Sequence, residues 1–167
     1  MAAARPEGFA GWLAVWFGAG LSPIAPGTAG SLAALPFGAA ILWAGGASGW
    51  LWLGLAVLLL LPLGAWAAAH YDRQTGGHDN AAVVVDEVAG QWIALLPAAP
   101  MTVSGAAWWH YALAFGLFRL FDIAKPWPVG WADRKIGGGW GVMADDVAAG
   151  FYAGVLTWLA IRLEPNL

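Results

Sequence analysis

From residue 8 to residue 69 the chain contains no Asp, Glu, Lys, Arg or His. A soluble fold would turn one face of so long a stretch to water without charges, whereas a bilayer favours such a stretch because charge in hydrocarbon is costly. Within it, residues 50–69, WLWLGLAVLLLLPLGAWAAA, supply 20 predominantly apolar residues. That is about one helical crossing of a ~30 Å hydrocarbon core. Composition agrees: the 167 residues are 60% hydrophobic and 10% charged, against roughly 45–50% and 25% in soluble domains. The 13 Trp suit membrane packing and interfacial anchoring rather than a cofactor site. The length fits one domain over residues 1–167.

The apolar runs point to an all-α fold, a polytopic membrane helical bundle. Four crossings are expected, with an N-terminal segment, residues 9–21, that is interfacial or partly inserted. In that segment Trp12 and Trp16 mark one helical face. SPIAPGTAGS, residues 22–31, then breaks any helix with two prolines and two glycines. A span over residues 31–46 is interrupted by Pro36, and residues 50–69 return. A short run over 88–96 ends at Pro97 and Pro100, a helix is expected over 106–121, and residues 147–161 form the last apolar run. Gly150 and Gly154 in that run have the spacing of a close helix contact. There is also a weak internal echo, either a duplication or a coincidence of a Gly-rich and Ala-rich chain: DRQTGG (72–77) resembles DRKIGG (133–138), and DEVAG (86–90) resembles DVAAG (146–150). It sets Asp86 and Asp146 at comparable helix starts.

These crossings gather Arg73, Lys125, Arg134 and Lys135 on one side, joined by Arg5 if the N-terminal segment does not cross. Arg162 is the one basic residue opposite. Positive-inside bias makes the charged side cytoplasmic. No removable signal peptide is read in MAAARPEGF. The absence of Cys excludes disulfides, thiolate catalysis and Cys-based metal sites. A net charge of -3 without a basic tract argues against nucleic-acid binding.

Residues 118–150, FRLFDIAKPWPVGWADRKIGGGWGVMADDVAAG, concentrate charge between two apolar runs. One acid beside a helix start is explained by capping. Two pairs, Asp86 with Glu87 and Asp145 with Asp146, both ahead of apolar helices, are more economically explained by a shared divalent cation. Oxygen ligands without Cys favour Mg²⁺. Arg119, Asp122 and Lys125 at spacings of three share a helix face, either as a snorkelling helix end or as a phosphate clamp. The glycine run 137–141 is a phosphate nest or a flexible connector, and it lacks the Walker ending. His78 and Asp79 can serve proton transfer or metal support, whereas His70 and His110 read as interfacial or packed. The backbone N–H groups and hydroxyls of residues 22–31, Thr28 among them, either cap a helix or line an anion site. Metal-assisted phosphate-ester hydrolysis leads. Asp86 would position or deprotonate water, with an aspartyl-phosphate intermediate the other route.

Four blocks, SPIAPGTAGS, HDNAAVVVDEVAGQW, FRLFDIAKPWP and DRKIGGGWGVMADDVAAG, span residues 22–150 and closely resemble the phosphatidylglycerophosphatase A family. The resemblance implies a Mg²⁺-dependent phosphatase acting on phosphatidylglycerophosphate in membrane lipid. It implies the membrane-bound branch, in the bacterial inner membrane with a cytoplasmic site. Carried onto this chain, it implicates Pro26, Gly27, Thr28, His78, Asp79, Asp86 and Glu87. The later blocks add Arg119, Asp122, Lys125, Asp133, Arg134, Asp145 and Asp146. The roles drawn are metal ligation by Asp86, Glu87, Asp122, Asp145 and Asp146; catalysis by Asp86, His78, Asp79 and Asp133; and phosphate binding by Thr28, Arg119, Lys125 and Arg134. Ala29 departs from the family, where an aromatic residue often follows the Thr. A transporter or assembly protein remains the other class, and a CDP-alcohol phosphotransferase lacks its DGxxAR signature here.

Overall fold

The computed structural model describes residues 5–76, 80–104, 108–127, 129 and 138–164. The elements are all helical, and no strand occurs among the described residues. Helix α1 (Gly8–Ala14) runs into a 3-10 turn (Trp16–Leu21). Helices α2 (Pro26–Gly45) and α3 (Gly49–Thr75) form a hairpin through a second 3-10 turn (Gly46–Ser48). Helix α4 (Val85–Leu95) continues through Leu96–Ala98 into α5 (Ala99–Ser104), and α6 (Trp108–Ala124) and α7 (Gly138–Leu163) complete the bundle.

The central helix is α4, eight of whose 11 residues are buried against α2, α3, α6 and α7. Its contacts fix the direction of its neighbours. Gly90 lies against Gly150, and Ile93 and Ala94 lie against Gly154, so α4 and α7 run parallel with their small residues in contact. Gly27 faces Glu87, Trp92 donates its indole N–H to Ala34 O at 3.0 Å, and Gly38 meets Leu95, so α2 is parallel to α4 as well. Helix α6 runs the other way along α7, pairing Lys125 with Asp145 and His110 with Glu164. The starts of α2 and α4, the early turns of α7 and the ends of α3 and α6 therefore meet at one end of the molecule. That end carries most of the charged residues, Arg162 and Glu164 lying at the other.

Two stretches, 26–75 and 138–163, are long and apolar enough to cross a membrane. Leu51, Leu55, Leu58, Phe151 and Trp158 lie exposed on α3 and α7, a surface suited to lipid rather than water. Helices α4 and α6 have 11 and 17 residues, shorter than a usual crossing of about 20.

Five local expectations change. Trp12 and Trp16 do not share a face: the backbone turns left-handed at Trp16 (φ 42°) and Phe17 (φ 53°). This carries the Trp16 indole into the core beside Trp92, at 5.6 Å between ring centroids, while Trp12 stays 39% exposed. Residues 22–31 are not wholly irregular, because α2 begins at Pro26; proline is tolerated in a first turn, where its missing N–H has no partner to lose. Pro36 then sits inside a continuous α2. Finally, α7 starts at Gly138, so Asp145 and Asp146 lie two turns inside a helix, not at its start. Residues 138–141 are helical, and a Cβ on Gly139 would overlap the Ala65 carbonyl. Glycine there serves the approach of α7 to α3, and the nest and connector readings give way for these residues.

Candidate metal and phosphate site

Where α4 begins, its first turn presents Asp86 and Glu87, and Asp146 arrives from the parallel α7. One oxygen from each lies within 4.8 Å of the others. The Gly90–Gly150 contact one turn further on makes this convergence physical, since a side chain at either position would hold the helices apart. Asp146 is buried and the other two are half-buried. Asp86 Oδ1 and Glu87 Oε2 are nevertheless fully enclosed, with no hydrogen-bond partner among the described residues. Both residues lie outside the two stretches able to cross a membrane. Burial pushes the Asp86 carboxyl well above the usual carboxylate range, and the charge on Glu87 adds to it. Burial also raises Glu87, against the opposing hydrogen bond from Asp86 and the charge on Arg119.

The cations stand around this cluster. Arg119 Nη1 donates to Asp122 Oδ2 one turn along α6, and Asp122 in turn faces Glu87 and Asp146. Lys125 closes α6 with a left-handed residue (φ 43°), its backbone N–H donating to Phe121 O at 2.9 Å. Its Nζ reaches Asp145 Oδ2 at 2.8 Å. Adjacent helical residues point about 100° apart, which separates Asp145, on Lys125, from Asp146, in the cluster. From the other side comes the first turn of α2: Gly27 lies so near that a Cβ there would overlap Glu87 Oε1 and sit 3.3 Å from Arg119 Nη1. Thr28 follows, partly buried.

Of the five expected ligands, the structure thus brings Asp86, Glu87 and Asp146 together, sets Asp122 beside them on Arg119, and holds Asp145 apart on Lys125. His78, Asp79, Asp133 and Arg134 lie outside the described residues. His110 is packed as expected, fully buried with Nε2 3.1 Å from Glu164 Oε2 at the far end of the bundle. One residue escaped the sequence reading. Gln91, one turn after Glu87, is fully buried with both amide atoms unpartnered among the described residues; the only available signal was a lone amide in the apolar run that follows the acid pair.

These residues fit a divalent cation. Four carboxylates (Asp86, Glu87, Asp122, Asp146) face one guanidinium, an excess of negative charge that burial makes costly. One of them, Asp86, carries an enclosed oxygen, Oδ1, with no hydrogen-bond partner among the described residues. An all-oxygen donor set suits a hard cation.

The sequence profile described as phosphatidylglycerophosphatase A matches residues 12–161. The chain is 40% identical over 148 residues to phosphatidylglycerophosphatase A of Escherichia coli (strain K12), covering 88% of this chain and 81% of that one. It is 37% identical over 151 residues to the Haemophilus influenzae protein of the same name, covering 87% and 85%. A Bacteroides thetaiotaomicron protein with the provisional name phosphatidylinositol-3-phosphatase is 40% identical over 160 residues, covering 93% of this chain and 96% of its own. No solved structure matches the chain at a significant level.

Proposed function

The chain belongs to the phosphatidylglycerophosphatase A family, and on that premise we propose that it hydrolyses phosphatidylglycerophosphate to phosphatidylglycerol and inorganic phosphate, with Mg²⁺ as cofactor. The observation that carries this reading is the convergence of Asp86, Glu87 and Asp146 oxygens within 4.8 Å, beside a guanidinium and a helix start. These three carboxylates hold the cation, and Asp122 and Asp145 complete the acidic surround. A bound Mg²⁺ supplies Lewis-acid polarisation of the phosphoryl oxygens and a lowered pKa for bound water.

Arg119 binds phosphoryl oxygen. Its Nη1 is engaged by Asp122, and its Nε has no partner among the described residues. Lys125 adds a mobile charge, and Thr28 with the first N–H groups of α2 adds donors from the opposite side, where a helix start favours an anion. Asp86 takes a proton from the attacking water. The water oxygen bonds to phosphorus, the ester P–O bond breaks, and the glycerol oxygen leaves with a proton. His78, Asp79 and Asp133 serve proton transfer, and Arg134 serves the phosphate. The protein is multi-pass in the bacterial inner membrane with this site on the cytoplasmic face. That orientation is supported by Arg73, Arg119 and Lys125 at the site end and Arg162 at the other. Trp127, 79% exposed, anchors that end at headgroup depth.

The test is phosphate release from phosphatidylglycerophosphate in mixed micelles by detergent-purified protein, with and without Mg²⁺, alongside Asp86→Asn. Release that needs Mg²⁺ and vanishes in D86N is expected; no release from folded protein overturns the reading. The Bacteroides relative motivates a parallel arm with phosphatidylinositol 3-phosphate. Equal turnover there would widen the substrate class to lipid phosphomonoesters.

A further inference from the structure

Eight enclosed side-chain nitrogen and oxygen atoms lack a hydrogen-bond partner among the described residues. Five of them belong to Asp86, Glu87, Gln91 and Arg119. Buried amides are almost always paired, so an unpaired one at the foot of a functional cluster calls for an explanation. Gln91 is 0% exposed and sits four residues after Glu87, on the same face of α4. That face looks toward α2 and α6, because Glu87 meets Gly27 and Arg119 on it while Leu95, two turns on, meets Gly38. The unpartnered atoms are complementary. Glu87 Oε2 can only accept, and Gln91 Nε2 can only donate. They do not bond to each other directly, yet both are enclosed and lie one helical turn apart. A water between two or more such groups satisfies them at once.

We infer that Gln91 is a positioning residue for the cation site, its amide Nε2 donating to a buried water that in turn donates to Glu87 Oε2. This rests on the proposed cation site. Fixing the inner oxygen of Glu87 in this way orients the carboxylate and leaves its other oxygen aimed at the cation. Partners of this kind commonly tune a site's metal affinity by about 10- to 100-fold. Gln91 touches neither substrate nor cation. Its effect is confined to how well the Glu87 carboxylate is held.

The experiment measures Mn²⁺ binding to detergent-purified protein by electron paramagnetic resonance, together with thermal unfolding. Wild type, Gln91→Met, Gln91→Asn and Asp86→Asn are compared. Met keeps the length and removes both polar atoms, whereas Asn keeps the amide but withdraws it by one methylene. Both Gln91 variants are expected to bind Mn²⁺ about tenfold more weakly. Half-saturation by Mg²⁺ in the phosphatase assay should rise in step, with KM for lipid unchanged at saturating Mg²⁺. Should Q91M fail to fold, Q91N carries the test. A folded Gln91 variant that binds Mn²⁺ within about twofold of wild type overturns the inference, because a merely structural amide would give that result. Wild-type protein that binds no Mn²⁺ at all would instead remove the cation site on which the inference rests, and D86N marks the baseline for that outcome.

Discussion

Gly150→Ala tests whether the contact of α4 with α7 builds the site. A Cβ at residue 150 would lie 2.9 Å from both Cα and C of Gly90 and nearer still to its carbonyl oxygen, whereas ordinary contact begins at 3.4 Å. Backbone cannot rotate out of the way as a side chain can, so the helices must part by about the 1 Å that separates the 2.4 Å approach to the Gly90 carbonyl oxygen from ordinary contact. The parting falls one turn from Asp86 and Asp146, whose oxygens now lie within 4.8 Å together with that of Glu87. Mg²⁺ demands ligands at about 2.0–2.1 Å in near-ideal geometry, and sites must be held within about 0.5 Å to work. A displacement of this size is expected to lower turnover about 100-fold and to cost about 1–3 kcal/mol of stability through overpacking. Phosphate release and thermal unfolding, read side by side, check both numbers. Gly54→Ala is the control, since a Cβ there meets nothing within 4 Å, and it should behave as wild type. If G150A turns over normally with unchanged Mg²⁺ half-saturation, the site does not depend on that contact and the reasoning fails.

Arg119→Lys should raise KM for the lipid phosphate and lower turnover, because one ammonium cannot hold Asp122, as Nη1 does, and still offer a phosphoryl oxygen the fork of donors that the guanidinium keeps; unchanged kinetics would remove Arg119 from the phosphate site. Without divalent cation, the raised carboxyls of Asp86 and Glu87 make the folded state bind more protons than the unfolded chain above the ordinary carboxylate range. Stability of the chelated protein should therefore fall as pH rises from about 5 to about 8, and saturating Mg²⁺ should abolish that fall by binding the ionised cluster of the folded state alone. Thermal unfolding in chelator and in Mg²⁺ at both pH values reads this directly, and a chelated protein that gains stability over the interval would contradict it.

What the sequence disclosed, and what it withheld, follows from the range of the forces involved. The uncharged span up to residue 69 made the apolar bundle legible, because hydropathy is a property of composition and needs no partner. The echo of DEVAG in DVAAG marked residues whose glycines and acids meet in space, but it put Asp146 at a helix start, whereas α7 begins two turns earlier. The division of labour between Asp145 and Asp146 was hidden. It depends on the rotation of α7 about its axis, which is set by Gly139 against Ala65 and Gly150 against Gly90 rather than by anything local to the acids. The start of α7 was hidden for the same reason: glycine is a poor helix former by propensity, and at Gly139 it is the close approach to Ala65 of α3 that leaves no room for a side chain. The placement of Trp16 rests on two left-handed residues that no propensity favours. In each case the missing information lay in a contact between helices. The site itself is such a contact, since α2, α4, α6 and α7 each bring one part of it and none of them carries a complete set of groups.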